Sequence, residues 1–120
     1  MVEETEWLAR FLPDSKMFSS NGVRSTAFMP RRGTTSVFRI TGMDETQIRG
    51  IGNAVLTVKP PKARAEIVAE RVYATGLQLD PDNTPEFHAN ITGWPPDSAK
   101  DEQKLLALQL ASSSVLKRHD

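Results

Sequence analysis

The 120-residue chain contains no cysteine. That absence removes disulfides, thiolate zinc sites, iron–sulfur clusters and thiol nucleophiles, and leaves oxygen and imidazole chemistry. Imidazole is itself scarce, since His88 and His119 are the two histidines. There is also no uncharged apolar run near the ~18 residues that a membrane-spanning helix needs. The chain opens on Met-Val-Glu-Glu-Thr-Glu, acidic where a secretory signal carries positive charge, so a cytoplasmic location is expected. On that expectation the glycosylation pattern Asn90-Ile91-Thr92 goes unused. No repeat, low-complexity tract or linker divides the sequence, and its length is that of one domain burying roughly two thirds of its unfolded surface. A single domain over 1–120 is expected, with 1–22 partly irregular or frayed.

Net charge is absent too, because fifteen Lys and Arg balance fifteen Asp and Glu. The balance is uneven along the chain. Residues 10–71 hold eleven basic against five acidic side chains, and acidic stretches flank them. A basic middle fits an anionic partner, or else pairs internally with the acidic ends.

Apolar spacing and turn residues predict the elements. Residues 3–12 fit a short helix sharing Trp7, Leu8 and Phe11 on one face and stopped by Pro13. Two β-branched, aromatic-rich runs, 24–29 and 35–41, read as a hairpin with the basic tip Pro30-Arg31-Arg32-Gly33. Asp44 with Gln47 has capping-box spacing and opens a helix over 45–53, followed by a strand over 54–59. A helix over 62–75, ended by Gly76, a strand over 77–79 and a strand over 87–92 come next. Ser98 with Asp101 repeats the capping-box spacing and predicts a helix over 98–117 with Leu105, Leu108 and Val115 facing the core. Leu106 and Leu110 then fall on another side, a surface for a homodimer. The expected fold is α+β: a small, mostly antiparallel sheet covered on one side by the helices at 62–75 and 98–117.

The densest group of chemistry-bearing residues is Glu86-Phe87-His88-Ala89-Asn90-Ile91-Thr92-Gly93-Trp94-Pro95-Pro96. In a strand, Phe87, Ala89 and Ile91 share one face, and His88, Asn90 and Thr92 share the other. His88 is the natural acid/base group, with Asn90 to orient a ligand. Trp94 either stacks on a ligand at the strand end or is buried beneath the last helix. Arg31 and Arg32, with Arg24 and Arg39 on the flanking strands, form the best anion site, because guanidinium matches phosphate and carboxylate geometry.

Other patterns fail on inspection. Gly50-Ile51-Gly52 lacks the third glycine of a dinucleotide-binding turn and reads as a helix end. Asp80-Pro81-Asp82-Asn83 starts like a calcium loop but has Pro85 where the turn glycine belongs, so it reads as a turn. Neither a metal nor a cofactor is implied.

Ser36-Val37-Phe38-Arg39-Ile40-Thr41-Gly42, the capped helix after it, and His88 to Pro95 resemble a group of small uncharacterised bacterial proteins. The resemblance implies a bacterial cytoplasmic protein and carries over no activity, cofactor or site residue. Together these readings favour a non-enzymatic binding or interaction module for an anionic ligand or a protein, using the basic hairpin and the strand-to-Trp94 corner. The alternatives are a small enzyme using His88 as general acid/base and an accessory subunit of a larger assembly.

Overall fold

A computed structural model describes residues 1–120. In chain order the strands are β1 (Trp7–Leu12), β2 (Phe18–Ser19), β3 (Gly22–Val23), β4 (Thr35–Arg39), β5 (Ala63–Val68), β6 (Gln78–Pro81), β7 (His88–Thr92) and β8 (Val115–Arg118). The helices are α1 (Glu45–Val55), α2 (Ala69–Tyr73) and α3 (Lys100–Ser112). Six strands make one sheet in the order β6-β7-β4-β1-β5-β8, with every neighbouring pair antiparallel. The fold is α+β, as the sequence predicts.

Alternation along the strands divides the interior in two. Leu8, Leu12, Val37, Ala65, Ile67, Ala89 and Ile91 face the larger core of nineteen buried residues, which α2 and α3 help to close. Ala9, Phe11, Phe38 and Ile40 face the other way and meet Ile48 of α1 in a cluster of five. Helices therefore lie on both faces of the sheet. No helix is long and apolar enough to cross a membrane.

Several elements differ from the sequence reading, each for a local reason. Residues 7–12 are a central strand, hydrogen-bonded to both β4 and β5, and Val2 before them is fully buried. The predicted helix over 62–75 is strand β5 followed by the short α2. Ala63, Arg64 and Ala65 are consecutive and all buried, as a strand covered on both faces requires. Residues 25–27 form a 3-10 turn, so no hairpin joins 24–29 to β4; a single bridge, Arg31 to Thr34, closes a tight loop. The 54–59 strand is absent because α1, opened by the Asp44–Gln47 capping box, runs on to Val55. Gly50-Ile51-Gly52 accordingly lies inside α1 rather than at its end.

The last predicted helix is shorter and turned around its axis. α3 starts after Ala99, which makes no side-chain cap, and stops at Ser112; Val115–Arg118 then pairs with β5. Its buried stripe is Gln103, Ala107, Leu110 and Ala111, while Leu105 and Leu108 are 62% and 53% exposed. Alanines let the helix lie close to the 3-10 turn Ser25–Ala27, with which it makes its main contact. Leu110 is fully buried and Leu106 packs against the same core, so neither belongs to an exposed dimer face.

Candidate functional site

β1 pairs with β4 only at Leu8–Arg39 and Ala9–Phe38. Past that point the side chain of Arg10 replaces the missing ladder: Nε donates to the carbonyl of Ala27 at 2.8 Å, and Nη1 to that of Ser36 at 3.1 Å. Two carbonyls that would otherwise be orphaned are thereby satisfied. Nη2 has no hydrogen-bond partner, and Arg10 forms none of the molecule's ion pairs. Burial first, and the nearby Arg31 second, push its pKa down to about 10, so the guanidinium stays cationic at neutral pH.

Across β4, His88 lies opposite Phe38, their rings edge to face at 5.2 Å. Its Nδ1 is 2.6 Å from Asp82 Oδ1, and Asn90 Nδ2 donates to Asp82 Oδ2 at 3.1 Å. The Asp82 carboxyl is held below the usual range, chiefly by the His88 hydrogen bond and then by the backbone N–H of Thr84. In the neutral ring, Nδ1–H donates to Asp82 and Nε2 keeps its lone pair, with no protein partner.

Arg10, Ser36 and His88 line the polar end of a cleft of about 300 Å³, with Phe11, Phe38, Val55, Leu56 and Pro85 around them. Phe38, Val55 and Pro85 are shared with an adjoining hollow of about 430 Å³ that runs alongside α1 past Met43, Gly50, Ile51, Ala54 and Phe87 and is open to solvent at Gly50 and Ala54. The left-handed backbone of Phe87 (φ 71°) breaks the strand alternation and packs its ring against the α1-side cluster, not beside Ala89 and Ile91. A bulky residue in that region is uncommon, and such conformations gather at functional sites.

The predicted site residues separate into two groups. His88 and Asn90 share one sheet face and one partner, Asp82. Trp94 does not join them: its ring packs against the larger core, and its Nε1 donates to Ile91 O at 3.1 Å. Arg39 is occupied, bonded to Asn83 Oδ1 and 4.0 Å from Glu6, although its buried Nε has no partner. Arg24, Arg31 and Arg32 are exposed, the last two on the tight loop rather than a hairpin tip.

The basic middle is partly neutralised within the chain, since Arg64 binds Glu45 at 2.7 Å and Glu66 at 2.8 Å, and Arg49 binds Glu45 at 2.7 Å. His119 is also ordered against the fold, 3.0 Å from Arg64 Nη1 and edge-on to Phe11. The sequence reading missed Arg10 and Asp82. For Arg10 the signal was present as one cation inside the apolar run Trp-Leu-Ala-Arg-Phe-Leu. Comparison with known proteins finds no matching family model, no matching curated protein and no matching solved structure, so function is read from the geometry alone.

Proposed function

We propose that the chain is a non-enzymatic binding module for a small organic anion, held in the cleft between the sheet and α1. One observation carries this reading: Arg10, which lines that cleft where the β1–β4 ladder ends, has a guanidinium with no carboxylate partner. A half-buried charge without a counter-ion is costly, and a bound anion supplies what the protein omits. The guanidinium is already fixed by two carbonyls, so binding does not have to freeze it. Ser36 and His88 add polar groups on the same wall, and no Asp or Glu lines this end of the cleft.

The test is an NMR titration of the 15N-labelled protein with acetate and with inorganic phosphate. Saturable shifts are expected at Ser36, Val55 and His88, and are lost in Arg10→Met. Because Arg10→Met also orphans two carbonyls, Ser36→Asp provides the second variant, repelling an anion while leaving the guanidinium in place. No shifts in the wild type, or undiminished binding in Ser36→Asp, overturns the reading.

A second reading has its own observation, the Asp82–His88 pair with Nε2 free at the cleft. That arrangement orients a general base, and it makes the module a small enzyme acting on its bound anion. It predicts that His88→Gln retains binding and loses turnover.

A further inference from the structure

The cleft does not end at its charged wall. Across the shared residues Phe38, Val55 and Pro85 lies the larger hollow, whose walls are mainly Phe38, Met43, Ile51, Val55 and Phe87. We infer that the ligand is an amphipathic monocarboxylate, its head on Arg10 and its apolar body lying alongside α1 along Phe38 and Val55. The inference rests on the anion reading of the Arg10 wall and adds the class of molecule that fits it.

Three features support that occupant. Volumes of about 300 and 430 Å³ are of the size that holds a small organic ligand, far more than an inorganic ion needs. On the helix side of the larger hollow Gly50 and Ala54 stand among Gln47, Ile51 and Val55, and the two small residues leave width for a chain. Charge sets the direction. Glu86 lines the far hollow, where it repels a second negative group, so the single carboxylate belongs at the Arg10 end. A dicarboxylate or a polyphosphate fits this distribution poorly.

The two halves of the site can be tested apart. Gly50 is helical, and a side chain there meets nothing within 4 Å of its Cβ, so Gly50→Leu fills the hollow without disturbing the fold. Binding of butanoate, hexanoate and octanoate is measured by calorimetry or NMR, with octylammonium as the control of opposite charge. Affinity is expected to rise roughly threefold to fourfold per methylene, as buried hydrocarbon does, and octylammonium is expected not to bind. Gly50→Leu flattens that series and leaves butanoate affinity unchanged. If butanoate binds and the wild-type series is already flat, or if Gly50→Leu leaves the gain intact, the apolar arm is wrong while the anion wall stands. If no carboxylate and no phosphate binds, the anion wall fails, and this inference fails with it.

Discussion

At the residue scale, two glycines two positions apart in α1 have opposite duties. A Cβ on Gly52 would lie 2.8 Å from Phe11 Cδ1 and 2.9 Å from Pro61 Cγ, whereas one on Gly50 meets nothing within 4 Å. Alanine gains roughly 1 kcal/mol of helix propensity over glycine at either site. At Gly50 the gain stands alone, so Gly50→Ala should stabilise by up to about 1 kcal/mol. At Gly52 it meets overpacking of about 1–3 kcal/mol, so Gly52→Ala should be net destabilising in urea denaturation. A similar contrast holds on α3. Leu110 is fully buried and Leu108 is 53% exposed, so Leu110→Ala should cost about 2–5 kcal/mol and Leu108→Ala well under 1 kcal/mol. Equal losses for the two leucines would show that the helix is turned differently.

At the element scale, local signals were legible and long-range ones were not. The Asp44–Gln47 capping box, the antiparallel pairing of 78–81 with 88–92, and the shared face of His88 and Asn90 all follow from neighbouring residues. Residues 63–68 misled because alanine-rich spacing satisfies a helix stripe as well as a strand covered on both faces, and only the presence of β1 and β8 on either side decides. Arg10 could not be assigned, since its partners Ala27 and Ser36 are 17 and 26 residues away. The same holds for the clasp on edge strand β8, where Glu45 and Arg49 of α1, Arg64 of β5 and His119 meet. Glu45 is depressed to about 2, mainly by Arg64, so its contribution is complete above the free value near 4.5 and is lost as pH falls toward 2. His119 is lowered, first by burial and then by Arg64, and accepts from Arg64 only when neutral. The unfolded chain therefore takes up that proton first, and stability should fall as pH drops below about 6.5. Urea midpoints across pH 3–8 should show both declines; His119→Gln should remove the upper one and Glu45→Gln should lessen the lower, to which the depressed Asp82 also contributes. Unchanged profiles would show that the clasp does not couple to folding.

At the scale of the whole molecule, the sheet divides a strong half from a weak one. Nineteen buried residues lie on the α2–α3 side and five on the α1 side. Of the eleven residues of α1, only Ile48 and Gly52 are buried. Local opening is easiest where little apolar surface is lost, so α1 should lift from the sheet at a lower free energy than the central strands β1 and β5 can open. That weakness borders the open hollow walled on one side by Gly50, Ala54 and Val55 of α1, so a ligand seated there should hold the helix to the sheet. Hydrogen exchange should therefore find the Ile48–Val55 amides less protected than those of β1 and β5. A ligand bound alongside α1 must leave before the helix lifts. Octanoate at a hundred times its Kd should thus slow α1 exchange roughly hundredfold. The amides of β8, whose fraying leaves the cleft intact, should keep their rates. Protection of α1 equal to that of β1, or α1 exchange indifferent to bound octanoate, would show that the helix is a fixed wall whose opening the ligand does not oppose.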